Sequence, residues 1–217
     1  MGEKISMDYQ VERRGAWSAA PAADWPDRHA LAALYECNER ALDLLQAHAR
    51  AVRQDDLFAR ELKPLLLQLD VASKARAARC AVLLVDPGFG DAGRWARAID
   101  GVIPAQEYAA PYFNVTGTVE AARVILTCAA HLAYSDAGSA RLLFGLAPGC
   151  IEAFTACTVT RIVQLADSHW SWFRPRWCNR PRYWRDLLVT AMNGTPAAQA
   201  RMRVRGLQLL AGDARPG

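Results

Sequence analysis

Apolar residues recur at three- and four-residue spacing along most of this chain, the period of a helix with one buried face. Leu31, Leu34, Leu42, Leu45, Ala49 and Val52 form the first such stripe. Asp24, Pro26 and Asp27 precede it, supplying an N-cap, a first-turn proline and an acid near the positive helix end. A second helix is expected from Asp55–Asp56, broken or kinked at Pro64. Leu65 to about Cys80 then reads as a further helical segment, and Ala81–Val85 as a short strand. A helix over Arg94–Ile99 leads to Val102–Thr118, which has two prolines and no period and predicts a connector. Thr118 is expected to cap a helix to about Tyr134 that is apolar nearly all round, hence covered by other helices or by a second subunit. His131 on that helix reads as a satisfied core histidine.

Beyond it the caps come every ten or so residues. Asp136 or Ser139 can cap Ala140–Phe144, which stops at Gly145; Pro148 opens a helix through Ile151 and Phe154; Thr158 caps a third carrying Ile162, Val163, Leu165 and Ala166. Arg182–Met192 and Ala197–Ala211 close the chain as helices. The expected fold class is all-α: a multi-helix globular protein with a compact module of three short helices. Met1–Ala23, without periodicity, reads as a loose arm pinned at Trp17. Residues 24–101 and 118–217 form two helical regions or one continuous fold.

Composition adds a charge asymmetry. Residues 1–100 carry 14 basic and 15 acidic side chains, whereas residues 137–217 carry 11 and 4, a surplus of +7. A basic half fits nucleic acid, a membrane surface or an acidic protein, although 23 Arg against 3 Lys in an alanine-rich chain also fits the codon bias of a GC-rich bacterial genome. Six scattered cysteines suit a reducing cytoplasm, and no apolar stretch is long enough to span a bilayer. A cytoplasmic protein with no membrane association is expected.

The densest chemistry lies near the end of the short-helix module. Arg174, Arg176, Arg180, Arg182 and Arg185 fall within a dozen positions, interleaved with Trp170, Trp172, Phe173, Trp177, Tyr183 and Trp184, and no acid intervenes before Asp186. Guanidinium forks pair with phosphates and aromatic rings stack on bases or beneath guanidinium groups. With Arg161 added, Arg174, Arg176, Arg180, Arg182, Arg185 and Trp177 are the candidate nucleic-acid- or partner-binding residues. The alternative is that the tryptophans anchor this loop to the core and the arginines are solvated or cap helix ends. Arg201, Arg203 and Arg205, at two-residue spacing, spread around the last helix.

Other constellations are weaker. Gly88, Gly90 and Gly93 spell a GxGxxG, but Asp86-Pro87 separates it from the apolar run and no second strand ending in an acid follows. The bland reading is a turn. Cys150, Cys157, His169 and Cys178 match no compact zinc spacing. Ser135 and Asp136 beside His131 are neighbours in sequence, unlike the parts of a triad. No catalytic residue, cofactor or metal is expected.

Ser139-Ala140, Gly145-Leu146, Ala156 with Thr158, and Val163-x-Leu165-Ala166-Asp167 carry a resemblance. Over Ser139–His169, without gaps, the chain resembles the FlhD family, a subunit of the bacterial flagellar transcription regulator that works with FlhC. The apolar helix Thr118–Tyr134 sits where that family has its long first helix, and Phe173…Arg176-Trp177 is similar to the Arg-aromatic pair that follows. The resemblance, about residues 118–180, implies an all-α, dimer-forming regulator that binds promoter double-stranded DNA jointly with an FlhC-like partner. Residues 1–117 have no counterpart there. Phe173 stands at the family's intersubunit cysteine, so that disulfide is not carried over, and the family's DNA contacts do not transfer. The expected function is a non-enzymatic bacterial transcriptional regulator acting through a protein partner and DNA. The alternatives are an adaptor of a secretion or motility apparatus and, third, a nucleotide-binding enzyme using Gly88–Gly93.

Overall fold

The computed structural model describes residues 26–51, 56–101 and 110–213; the expected arm with Trp17, the Asp24 cap and Val52 lie outside them. Helix α1 (Arg28–Ala51) buries Leu34, Cys37, Ala41, Leu42, Leu45 and Ala49 along one side. Helix α2 (Leu57–Gln68) begins at Asp56, whose carboxylate accepts the Ala59 amide. Of the break or kink expected at Pro64, the break does not occur: the helix runs through the proline. Leu62 and Leu66, on either side of the proline, are buried against the core. Gln46 Nε2 donates to the carbonyls of Leu66 and Leu69 at 2.8 and 3.3 Å, finishing the helix there. The break falls instead at Leu69–Asp70, where Asp70 accepts the Ser73 amide and caps α3 (Val71–Ala78).

The expected strand is mostly absent. Only Val85–Asp86 (β1) pairs, antiparallel, with Arg174–Pro175 (β2). Yet Val82, Leu83, Leu84 and Val85 are completely buried, and buried backbone must find hydrogen-bond partners. Side chains and loops provide them. Asn38, fully buried on α1, aims its amide nitrogen at the carbonyls of Ala78, Cys80 and Val82, and its oxygen accepts the Leu84 amide at 2.8 Å. The Leu83 amide donates to Leu143 and the Arg176 amide to Leu84, each at 2.8 Å.

Helix α4 (Ala92–Ile99) follows, with Asp91 as cap. Helix α5 (Thr118–Ser135) starts after Gly117, which takes the left-handed φ of 91°. Thr118 does not cap it; its hydroxyl turns back to donate to the Val115 carbonyl at 2.7 Å. Asp136 caps the short α6 (Ala137–Ser139), which runs into a π-helical turn over Ala140–Phe144. Then come α7 (Pro148–Thr155), α8 (Val159–His169, capped by Thr158), a single 3-10 turn at Trp170–Trp172, α9 (Pro181–Asn193) and α10 (Pro196–Asp213). The fold is all-α.

Residues before and after the connector share one hydrophobic cluster, from Ala30 on α1 to Leu210 on α10. Helix α5 packs on α1, α7 and α8. At the centre, the Trp95 ring meets Phe154 and Trp172 with centroids 5.1 and 4.9 Å apart. His131 is not in that core: it is exposed. No helix among the described residues is long and apolar enough to cross a membrane.

Candidate nucleic-acid interface

The arginine-aromatic segment separates into an inward and an outward set. Arg176 is buried at 7% exposure. Its Nε donates to the Leu83 carbonyl and its Nη2 to the Phe144 carbonyl, both at 2.9 Å, and the Asp86 carboxylate lies 3.7 Å away. Gly145 makes this approach possible: its φ is 77°, and a Cβ there would meet Arg176 Nη1 at 3.0 Å. Trp177 is buried too, holds a left-handed φ of 54°, and donates its indole N–H to the Asp213 carboxylate. Arg161 donates to the Ala98 and Ile99 carbonyls, closing the C-terminal end of α4. These three candidates spend polar groups on contacts inside the chain, although Arg161 remains part-exposed.

The others lie at the surface. Arg180 stands 3.8 Å from Asp213 and Arg185 2.7 Å from Glu61. Arg174 and Arg182 are exposed and form no ion pair among the described residues.

Helices α9 and α10 gather the outward charge. They form a hairpin: the Gly194 amide bonds the Thr190 carbonyl at 2.8 Å, Thr195 Oγ1 accepts the Ala198 amide, and Pro196 opens α10. Tyr183, Trp184, Leu187 and Leu188 anchor α9 in the core. Gly206 lets α10 lie close, since a Cβ there would come within 2.9 Å of the Tyr183 hydroxyl. That hydroxyl sits 3.2 Å from Cys80 Sγ, and burial pushes both groups up from their ordinary pKa values.

On the outer side the hairpin leaves an open groove of about 490 Å³, with Arg185, Asp186 and Val189 from α9 facing Arg201, Met202 and Arg205 from α10. Arg182, one turn before Asp186, continues the α9 row. Arg205 reaches across to Asp186 at 2.5 Å. Three arginines thus line the groove with one carboxylate, while Arg185 is also held by Glu61 from outside that lining. Arg201 and Arg205 escaped the sequence reading because Arg203 between them suggested dispersal. The i, i+4 spacing was the available signal; Arg203 itself turns the other way, donating to the Arg79 carbonyl at 3.1 Å.

The charge placement runs against helix electrostatics. Arg180 and Arg182 sit at the start of α9, which has no acid in its first turn and no side-chain cap. A cation at that positive end costs on the order of 0.3–1 kcal/mol relative to an acid-bearing start.

A second, apolar groove of about 340 Å³ runs between Ala130, His131 and Tyr134 on α5 and Phe154, Val159 and Ile162 of α7 and α8. Tyr134 and Val159 are 79% and 74% exposed beside it. The glycine loop, by contrast, is closed: Asp86 Oδ1 accepts the amides of Gly88 and Phe89, the Gly88 carbonyl accepts the Trp95 indole, and Phe89 is buried. No parallel sheet stands behind it among the described residues. No group of three or more His, Cys, Asp or Glu that could hold a metal occurs among those residues either.

Comparison with family models, with curated proteins and with solved structures finds no match to this chain.

Proposed function

We propose that this chain is a non-enzymatic, cytoplasmic bacterial regulator whose α9–α10 groove grips the phosphate backbone of double-stranded DNA. The observation that carries the reading is the convergence of Arg185, Arg201 and Arg205 on one open groove, where Asp186 meets Arg205, Glu61 holds Arg185 from outside, and Arg201 has no ion-pair partner among the described residues. Arg201 and Arg205 stand about 6 Å apart along α10. That spans about two phosphates of one strand, which rise roughly 3.4 Å each along the duplex. Guanidinium forks bind such oxygens bidentately. The resemblance of Ser139–His169 to the FlhD family points the same way, and with it come the FlhC-like partner and the homodimer that the family implies.

Anisotropy of a labelled DNA duplex, titrated across salt, tests this. Contacts to three or four phosphates give a log K against log salt slope of about −3. Absence of binding at roughly 50 mM salt, with the partner subunit present or absent, would sink the DNA reading.

A second reading has its own support. The apolar groove beside Tyr134 and Val159 suits a protein surface, as expected of an adaptor in a secretion or motility apparatus. Under that reading Tyr134→Ser with Val159→Ser abolishes capture of machinery proteins, while the Arg201→Ala, Arg205→Ala variant captures them normally.

A further inference from the structure

Helix α10 is apolar on two sides. Met202, Gly206 and Leu210 face the core and are buried. Ala197, Ala200, Val204, Leu207 and Ala211 are all exposed, Val204 at 54% and Leu207 at 37%. Their alternating spacing of three and four residues sets them in one line along the outer face, about 21 Å long at 1.5 Å per residue. A helix at a protein surface ordinarily turns polar residues outward, so a second apolar line belongs to a helix covered on both sides.

The alternation is that of a coiled-coil seam, and residues beside such a seam select the partner by charge. Here they are cationic. Arg201 and Arg205, next after Ala200 and Val204, stand on the side nearer the α9–α10 groove. Arg203 lies on the other flank, bonded to the Arg79 carbonyl. No acid occurs from Pro196 to Gly212. Asp213, which ends the helix, is taken by Trp177 and Arg180, and Asp186 from α9 meets Arg205.

We propose that the outer face of α10 is a docking surface for an acidic amphipathic helix of another protein. Aliphatic side chains of that helix pack on Val204 and Leu207, and its carboxylates reach Arg201 and Arg205. The flanking alanines let the two helices approach closely. Charge decides between occupants. A second copy would set Arg201, Arg203 and Arg205 against their own kind, a repulsion that an acidic helix turns into attraction. A bilayer takes up a helix through a broad face of Trp, Phe and Leu, whereas this line offers one leucine and no aromatic ring. Duplex DNA accounts for the arginines but leaves the apolar line uncovered. Because Arg201 and Arg205 also line the α9–α10 groove, a helix docked on α10 and a duplex in that groove exclude one another; this consequence alone rests on the DNA reading.

The test titrates the full chain into a fluorescein-labelled synthetic peptide of about three heptads, with Leu at the seam positions and Glu beside them. No DNA is present. Saturable binding is expected at low salt, weakening as salt rises. Val204→Ser with Leu207→Ser should weaken it about tenfold or more, and Arg201→Ala with Arg205→Ala about threefold or more. All four positions are exposed, so circular dichroism should show both variants folded. The same peptide with Lys in place of Glu should not bind. Absence of binding by the Glu peptide, or equal binding by the Val204→Ser, Leu207→Ser variant, would overturn the proposal. So would a dimer of the unaltered chain in sedimentation that this variant dissolves, or flotation with phosphatidylglycerol vesicles that it loses, since either assigns the face to another occupant. The peptide is read without duplex, so failure of the DNA reading leaves this result standing.

Discussion

Arg176 and the pair Arg201 and Arg205 belong to equally arginine-rich stretches, and the fold uses them in opposite ways. Arg176 is solvated by main-chain carbonyls from two distant segments, residues 83–85 and Phe144, and leaves the solvent almost completely. Arg201 and Arg205 stand one turn apart on an outer helix face and line an open groove. The difference is not in local sequence, since both stretches are cationic and interrupted by large apolar residues. It lies in whether unpaired carbonyls wait nearby. Residues 82–85 are buried without a full strand partner, and the guanidinium at position 176 answers that need. The α9–α10 hairpin already satisfies its own backbone, so its arginines remain at the surface.

The largest effect that separates the two sets is on stability. Arg176→Ala leaves the Leu83 and Phe144 carbonyls buried and unsatisfied. It should cost about 2–5 kcal/mol in urea unfolding, lowering any DNA binding only through the folded fraction. A near-neutral result would break the contrast. Next, Arg201→Ala with Arg205→Ala should leave the urea midpoint almost unmoved, because the Arg205–Asp186 pair is half exposed and worth about 0–1 kcal/mol. The same variant should weaken duplex binding by about tenfold or more and flatten the salt slope by about two.

Asp136 sharpens the inward side. It caps the turn that delivers the Phe144 carbonyl to Arg176, and its hydrogen bonds from Ser139 hold its carboxyl below the ordinary range. A folded-state value below the unfolded one means the stabilisation is present above about pH 4 and fades as pH falls through the folded value. Asp136→Ala should therefore cost about 1 kcal/mol at neutral pH, with the gap to the parent closing under acid in pH-dependent melts. The smallest effect belongs to the groove's own carboxylate. Asp186→Asn removes the anion that competes for Arg205, and duplex affinity should rise a few-fold with little change in stability, read by the same anisotropy titration.

Much of the helical order was legible because it is local. The Thr158 cap, the Pro148 and Pro181 starts and the Gly145 stop each act within one turn, and α8, α9 and α10 lie close to where periodicity placed them. What was not legible depends on residues far away in sequence. Pro64 is carried inside α2, and the helix ends only where Gln46 takes the Leu66 and Leu69 carbonyls. Ala81–Val85 has the composition of a strand, but Asn38 takes the bonds a neighbouring strand would have taken. His131 sits on an almost wholly apolar helix and still faces outward, since α7 and α8 cover only part of that surface. For the candidate interface, Arg182 and Arg185 were identified and placed correctly on α9, while the inward turn of Arg161, Arg176 and Trp177 follows from carbonyl and carboxylate partners that no periodicity reveals.

The doubly clamped ribbon has a bearing on how the molecule is made. Its two fasteners come from positions 38 and 176, one well before it and the other some ninety residues after. A chain emerging from the ribosome can form α1 and set Asn38 early, yet the ribbon's opposite edge stays bare until Arg176 has been synthesised. Closing contacts of such separation is entropically slow, so the first half of the protein must wait, partly assembled, for the second to complete it.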